Sequence, residues 1–447
     1  MHSAAASIPP LAHHQLFVFL LQAGTLVLLA LACGRLATRL RMPAVAGELC
    51  VGIVLGPTVL GSAAPAVAEW LLPRSTEQFH LLDALAQLGV VLLVGVTGME
   101  MDTGLVRRRG ATALSVGMGG LLLPLGLGFA AGWAAPDNLI PESTDRLVFS
   151  LFLAVALCVS ALPVIAKILT DMNLVHRNVG QLTLAAGMVD DIIGWILLSV
   201  VSAAAAGAAG LADVAEPLAA TALALAFTFL IVRPLVRRAT RAAERSDDSR
   251  ATVAGATAFI LLAAAATHAL GLEAMFGAFL AGMLLGAGPR AVRTRLAPLR
   301  TVVLAVFAPL FFATAGLRVD LRALADPEVL LAAFVLLLIA VTGKVAGAYA
   351  GARVAGIGAW ESLALGGALN ARGVIQLVIA TVGLRIGVLT TTTYTLIVLV
   401  AISTSLMAPP ILRFAMRRVE HTAEEELRSR ERSFLPGENA SGNQAEA

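Results

Sequence analysis

The sequence predicts an all-α polytopic membrane protein with about thirteen transmembrane helices. Of its 447 residues, 58% are hydrophobic and 14% are charged, and the mean hydropathy is +0.86. Soluble domains carry about 25% charged residues, so this chain lacks the polar side chains that would cover it in water. Long apolar runs separated by short arginine-bearing loops are typical of membrane spans.

Thirteen runs are predicted to cross the membrane, since a span needs about 20 mostly apolar residues. In order, the runs are 15–32, 44–60, 80–98, 111–133, 147–169, 178–206, 215–236, 251–269, 273–288, 298–316, 328–352, 361–381 and 390–416. The first run is interpreted as a span rather than a signal peptide, because residues 1–14 contain no Lys or Arg and a secretory signal requires them.

Basic residues predict the orientation, because cytoplasmic loops are enriched in Lys and Arg. With the N-terminus outside, the outer loops hold only Arg74, Arg146, Arg318, Arg322 and Arg385. Lys344 and Arg372 lie within spans, and the rest of the 32 Lys and Arg residues lie on the inner side. We therefore expect an odd number of spans in the plasma membrane (the cell inner membrane), with the N-terminus outside and the C-terminus in the cytoplasm.

The composition also argues against several other kinds of protein and site. A net charge of +3, with basic residues spread over many loops, does not favour nucleic-acid binding. The cysteines Cys33, Cys50 and Cys158 have neither metal-ligand nor disulfide spacing, and no cofactor is expected. Residues 419–447 are polar and are predicted to form a disordered cytoplasmic tail, with no nucleotide-binding domain.

The spans contain an internal repeat. Three pairs of segments match: Gly52–Gly56 with Gly282–Gly286, Leu93–Asp102 with Phe311–Asp320, and Ser160–Ile165 with Asn370–Ile375. The members of each pair lie seven spans apart, so they cross the membrane in opposite directions. This pattern predicts two inverted six-helix repeats, with the seventh span as a linker.

The third pair of segments contains helix-breaking residues at corresponding points. Pro163 removes a backbone donor and its ring clashes with the preceding turn. Gly373, which follows Asn370 in the matching segment, weakens its helix. Inverted repeats with interrupted helices are typical of secondary transporters. We expect the fifth and twelfth spans to be interrupted here and to cross near the membrane midplane; ordinary kinks are the alternative.

Two aspartates and a lysine lie within predicted spans. Asp190 and Asp191 are in the middle of the sixth span, where each carboxylate costs about 2.5–3.5 kcal/mol to insert. This cost favours an ion or proton site, and a structural polar network is the alternative. Lys344 is near the middle of the eleventh span, so one of the two aspartates is its expected partner. Alternatively, the lysine reaches the inner interface.

Two further polar residues mark the predicted breaks. Arg372 is placed to offset the partial negative charge at the C-terminus of a half-helix. Ser160 offers a hydroxyl oxygen to a cation or a carboxylate, although serines in membrane helices often bond to their own backbone.

Several segments together resemble one family. They are Pro43–Pro57, Ser160–Leu169, Asp190–Leu198, Gly271–Gly282 and Leu369–Gln376. On these residues the chain, over about 15–418, resembles the monovalent cation:proton antiporter superfamily. The branch is the one that contains bacterial sodium/proton antiporters, Kef-type potassium efflux proteins and plant cation/proton exchangers.

The resemblance implies an organisation into panel and core. It implies a homodimer in which residues 15–98 and 251–316 form the dimer-side panel, and residues 111–206 and 328–418 form the mobile core. The linker helix would be 215–236.

The resemblance also implies roles for the site residues. Asp191 would be the main ion and proton site, Asp190 would pair with Lys344, and Ser160 would lie beside the crossed helices. The plant exchangers typically have Asn-Asp where this chain has two aspartates, which look like those of electrogenic sodium/proton antiporters.

The expected activity is secondary active exchange of a monovalent cation, Na⁺ or K⁺, for H⁺ by alternating access. Two alternatives stay open: a sodium-coupled symporter of an organic anion on the same fold, and a channel. An enzyme is not expected, since no nucleophile–base pair or metal-ligand set is recognisable.

Overall fold

A computed structural model describes residues 12–40, 42–72, 76–101, 103–207, 219, 221–245 and 248–420, and these residues contain helices and no strands. The α-helices are α1 His13–Arg39, α2 Ala44–Leu55, α3 Leu60–Ala63, α4 Pro65–Leu71, α5 Thr76–Met99, α6 Thr103–Trp133, α7 Arg146–Cys158, α8 Leu162–Asp171, α9 Asn178–Gly207, α10 Arg233–Arg245, α11 Ser249–Ala269, α12 Ala274–Gly286, α13 Arg290–Arg295, α14 Ala297–Val302, α15 Ala308–Gly316, α16 Pro327–Val354, α17 Ala359–Leu369, α18 Val374–Arg385 and α19 Thr391–Met416. Residues 221–227 are also helical and run into a π-helical turn, Thr228–Val232, before α10.

The helices confirm a multi-pass membrane protein. Within the described residues, ten helical segments are long and apolar enough to cross a membrane, and the bent pair α17 and α18 raises the number to eleven. The predicted span 273–288 corresponds to α12, which is apolar but shorter. The predicted span 215–236 lies partly outside the described residues, as does most of the predicted tail, 419–447. The total of thirteen spans therefore stays a prediction.

The chain divides into two compact units. The first contains Met1–Met99, Pro234–Ala266 and Gly277–Ala325. The second contains Glu100–Arg233, Thr267–Phe276 and Asp326–Ala447. All the charged residues predicted for the site belong to the second unit.

Two glycine contacts within the first unit correspond to each other under the internal repeat. A Cβ atom on Gly52 of α2 would lie 2.0 Å from the carbonyl oxygen of Ala313 in α15. A Cβ atom on Gly282 of α12 would lie 2.0 Å from the carbonyl oxygen of Gly95 in α5. Gly52 matches Gly282 in the repeat, and Ala313 matches Gly95. Both helix pairs pack this closely because glycine leaves the backbone of its helix uncovered.

Small residues also join α6 to α16 in the second unit. A Cβ atom on Gly347 of α16 would lie 2.2 Å from the carbonyl oxygen of Gly119 in α6. One turn away, the Ser115 hydroxyl donates to the carbonyl oxygen of Gly351 at 2.7 Å. This close approach fixes the position of α16 relative to α6, and α16 is the helix that carries Lys344.

Both predicted interruptions are present in the second unit. The helix α7 ends at Cys158, and extended backbone leads to α8, which begins at Leu162. The helix α17 ends at Leu369, and α18 begins at Val374 with a bend of 43° between them.

The two interruptions contact each other. The backbone N–H of Ala161 donates to the carbonyl oxygen of Ala371 at 3.1 Å. The non-helical segments of two distant spans therefore meet, and each supplies backbone groups that its own helices leave unpaired.

Candidate functional site

Both aspartates lie on α9, next to the point where the two interruptions meet. Asp190 and Asp191 are each 0% exposed. Successive residues of a helix project about 100° apart, so the two carboxylates face different neighbours. Their environments differ accordingly.

Asp190 forms a buried ion pair with Lys344. The lysine Nζ donates to Asp190 Oδ2 at 2.7 Å and to the carbonyl oxygen of Cys158 at 2.6 Å. The backbone N–H of Ser160 donates to the same Oδ2 at 2.8 Å, while Oδ1 accepts no hydrogen bond. The charge of Asp190 is thus balanced by a fixed ammonium, which is also fully buried.

Asp191 has no such partner. Neither of its carboxylate oxygens accepts a hydrogen bond. The strongest favourable influence on this carboxylate comes from the backbone amide of Leu162, the first residue of α8, and Lys344 adds a weaker one. A helix N-terminus carries a partial positive charge, which favours an anion but does not neutralise it. Of the two aspartates, Asp191 is therefore the one whose carboxylate oxygens have no hydrogen-bond partner in the described part of the chain.

Ser160 connects the two interruptions. Its hydroxyl donates to the carbonyl oxygen of Leu369, the last residue of α17, at 2.7 Å. The hydroxyl proton is used in this bond, but the oxygen keeps a lone pair that can coordinate a cation. The backbone and the side chain of this serine thus bind different elements, α9 and α17.

Arg372 is almost completely buried and binds backbone carbonyl groups. Its Nη1 donates to the carbonyl oxygen of Ala156 in the last turn of α7 at 3.4 Å, and its Nη2 donates to that of Ala340 at 3.1 Å. The contact with Ala156 places Arg372 at the C-terminus of a half-helix. The half-helix is α7, which comes from the other repeat.

The three helix-break residues occupy different positions at the two interruptions. Pro163 is in the first turn of α8, where its missing N–H leaves no bond unmade. Gly373 immediately precedes α18, and a Cβ atom there would lie 2.7 Å from Val164 Cγ2. Asn370 follows α17 directly, is 0% exposed, and has no hydrogen-bond partner for either side-chain amide atom.

Sequence reasoning missed two polar residues at this site. The Ser405 hydroxyl in α19 donates to the carbonyl oxygen of Arg372 and accepts from the backbone N–H of Arg372 at 3.2 Å. The buried Gln376 donates through Nε2 to the carbonyl oxygen of Ile397 at 3.3 Å, and its Oε1 has no partner. Gln376 was visible as an amide inside an apolar span, whereas nothing distinguished Ser405 from its polar neighbours Ser403 and Thr404.

The comparisons with known proteins give one consistent result. The sequence pattern of the family "Sodium/hydrogen exchanger, transmembrane" matches residues 25–418. The chain is 30% identical to "Cation/H(+) antiporter 15" of Arabidopsis thaliana over 85% of its own length and 46% of that protein. It therefore spans about half the length of this plant relative. The resemblance inferred from the motifs is confirmed.

Two bacterial relatives are similar in length to this chain. "Na(+)/H(+) antiporter NhaS4" of Synechocystis is 29% identical over 88% of this chain and 97% of that protein. "Na(+)/H(+)-K(+) antiporter GerN" of Bacillus cereus is 29% identical over 89% of this chain and 96% of that protein. Both names describe transporters.

The fold agrees with a solved structure. The sodium proton antiporter MjNhaP1 from Methanocaldococcus jannaschii superposes with a TM-score of 0.65, at 15% identity, over 90% of this chain and 97% of that one. At this identity the likeness concerns the fold alone. The matched family, the antiporter relatives and the helical fold agree, and the chain belongs to the transmembrane sodium/hydrogen exchanger family.

Proposed function

We propose that this protein exchanges a monovalent cation, Na⁺ or K⁺, for H⁺ by alternating access. The observation that carries the proposal is Asp191, a fully buried carboxylate whose two oxygens accept no hydrogen bond. An uncompensated charge is costly in a buried site, so this carboxylate must bind a proton or a cation. The relatives named as cation/H⁺ and Na⁺/H⁺ antiporters support the same reading.

Competition for Asp191 couples the two fluxes. A protonated carboxyl group has lost the charge that attracts a cation, and a carboxylate that holds a dehydrated cation excludes a proton. The site then crosses empty only at the cost of a bare buried charge. This cost suppresses uncoupled leakage of either ion.

The ion pair of Asp190 with Lys344 determines how much net charge crosses the membrane in each transport cycle. While the pair stays intact, one cation replaces one proton at Asp191 and no net charge crosses. If the pair opens and releases a second proton in each cycle, one net charge crosses, worth about 2.3 kcal/mol per 100 mV. A potential that is negative inside would then drive cation export.

The two compact units support a division into panel and core. In this proposal the second unit, with the site, is the mobile core, and the first unit is the dimer-side panel of a homodimer in the plasma membrane. The corresponding contacts of Gly52 with Ala313 and of Gly282 with Gly95 support the inverted repeat. The arginine-rich loops favour an N-terminus outside and a C-terminus in the cytoplasm.

The proposal is tested in liposomes with an acidic interior, using an interior pH dye while sodium, potassium or lithium is added outside. We expect rapid alkalinisation with one or more of these cations. Asp191→Asn should insert and fold but give no signal, because a neutral amide cannot exchange a proton for a cation. Runs with the potential clamped by valinomycin and potassium separate the electroneutral cycle from the electrogenic one.

Two results would overturn the proposal. One is a folded wild-type protein that gives no pH response to any of the three cations. The other is wild-type exchange by the Asp191→Asn variant. Sodium-dependent uptake of an organic anion without proton movement would point instead to a symporter on the same fold.

A further inference from the structure

The C-termini of α7 and α17, the first half-helix at each interruption, are compensated differently. At the end of α7, Lys344 Nζ lies 2.6 Å from the carbonyl oxygen of Cys158, and Arg372 Nη1 lies 3.4 Å from that of Ala156. A helix C-terminus carries roughly half a negative charge. Two fixed cations therefore compensate the end of α7.

The end of α17 is bound by neutral groups. The carbonyl oxygen of Leu369 accepts from the hydroxyl of Ser160 at 2.7 Å. The carbonyl oxygens of Gly366 and Ala368 accept from the backbone N–H groups of the two residues after the helix. These donors satisfy the carbonyl groups but bring no positive charge to this helix end.

Asn370 lies at this helix end with an unsatisfied side chain. It is 0% exposed, and neither Oδ1 nor Nδ2 has a hydrogen-bond partner. A buried polar group without a partner costs about 1–3 kcal/mol. Such a group in a native protein calls for an explanation, and a bound ion is one of those available.

The position of Asn370 connects it to both aspartates. The carbonyl groups on either side of it, those of Leu369 and Ala371, accept from the Ser160 hydroxyl and the Ala161 N–H. The same short segment donates from Ser160 N–H to Asp190 and presents the amide of Leu162 to Asp191. The carbonyl groups that flank Asn370 and the carboxylates of the two aspartates therefore all interact with one three-residue stretch of backbone, 160–162.

We infer that Asn370 is a ligand of the transported cation, and that its Oδ1 acts together with the carboxylate of Asp191 at the negative end of α17. The inference rests on the proposed function and deepens it. Carboxylate and amide oxygens suit hard cations. A half-helix C-terminus within a membrane transporter suits a cation in the same way.

An amide ligand has a consequence that a second carboxylate would not have. The neutral oxygen of Asn370 stabilises a bound cation, but it has no basic site for the exchanged proton. It therefore raises cation affinity relative to proton affinity at Asp191. Since Asn370 corresponds to Ser160 in the repeat, the two interruptions supply one neutral oxygen each.

The test uses the full-length protein and the variant Asn370→Ala. Thermal unfolding in detergent is followed in sodium, potassium or lithium chloride, with choline chloride keeping the ionic strength constant. The wild-type Tm should rise with the transported cation. The variant should keep or exceed the wild-type Tm in choline, because it removes two unsatisfied groups, but its cation-dependent rise should disappear.

Transport measurements distinguish a cation ligand at position 370 from a residue that only caps the end of α17. In liposomes, Asn370→Ala should raise the apparent KM for the cation about tenfold, a loss of about 1.4 kcal/mol, while the maximal rate changes much less. Asn370→Asp keeps an oxygen at this position and should restore cation binding, with stronger competition by protons. Thr404→Ala is the matched control, since the buried Thr404 hydroxyl bonds to its own helix at Val400, 2.8 Å away.

The outcomes distinguish this inference from the proposed function. Wild-type exchange together with an unchanged cation KM and ion preference in Asn370→Ala would overturn the role of Asn370 alone. A lowered Tm in choline, with the cation-dependent rise intact, would show a structural cap and also overturn it. Cation-dependent stabilisation that requires Asn370, in a protein without exchange, would support the ligand and overturn antiport. A wild-type protein that responds to no cation in either assay would overturn both.

Discussion

At the scale of single residues, the two adjacent aspartates have separate environments. Asp190 shares Oδ2 between an ammonium and a backbone N–H, whereas neither carboxylate oxygen of Asp191 accepts a hydrogen bond. The helical turn of about 100° per residue produces this difference. A fixed charge pair and an available carboxylate can therefore lie next to each other in the sequence.

Removing Lys344 should destabilise the protein strongly. Lys344→Met leaves Asp190 buried without its counter-ion, and breaking a buried pair costs about 3–5 kcal/mol. We expect a clearly lowered Tm in detergent, and a smaller loss in the double variant Lys344→Met/Asp190→Asn because no bare charge is left. Lys167→Met is the control, since this second lysine is exposed and should matter little. Equal losses in the single and double variants would contradict the pair's energetic role.

At the scale of helices, glycine determines how closely neighbouring elements approach. The contact between α6 and α16 leaves no room for a Cβ atom at Gly347, whose nearest neighbour is the backbone of Gly119. This contact sets the position of α16 and hence that of the Lys344 ammonium. A side chain facing lipid has no comparable constraint, because nothing opposes it.

Gly347→Ala should push α6 and α16 apart. The added methyl group would meet a backbone oxygen at 2.2 Å, and overpacking of this kind costs about 1–3 kcal/mol or more. We expect a lower Tm and slower exchange as Lys344 shifts. Gly126→Ala in the same helix pair is the matched control: nothing lies within 4 Å of its Cβ position, so this variant should be neutral or slightly stabilising. Similar melting of the two variants would exclude this contact as the cause.

At the scale of the whole molecule, the arginine distribution predicts how the chain lies in the membrane. Ser143 is exposed between α6 and α7 and should face outside, while Ser249 is exposed at the start of α11 and should face the cytoplasm. The preference arises because positively charged loops are retained on the cytoplasmic side.

A labelling experiment checks this orientation. In a background without Cys33, Cys50 and Cys158, Ser143→Cys should react with a membrane-impermeant maleimide in intact cells. Ser249→Cys should react only after the membrane is permeabilised. The reversed result would place the N-terminus inside and overturn the predicted orientation, whereas reaction of both cysteines from the same side would overturn the predicted parity of the spans between them.

The membrane character, eleven of the thirteen predicted spans, both interruptions and the presence of charged residues inside spans followed from the sequence alone. These features are local: hydropathy, helix breaking and the cost of a buried charge can each be evaluated within one span. Membership of the exchanger family also follows from residues 25–418 alone.

The tertiary structure decided which groups meet. Lys344 binds Asp190, 154 residues away, and Arg372 binds the end of α7, which belongs to the other repeat. The unsatisfied amide of Asn370 and the hydrogen bonds of Ser405 emerged only with the fold. These contacts depend on how two interruptions that are distant in sequence meet through the Ala161–Ala371 and Ser160–Leu369 hydrogen bonds, and no sequence spacing specifies the geometry of that crossing.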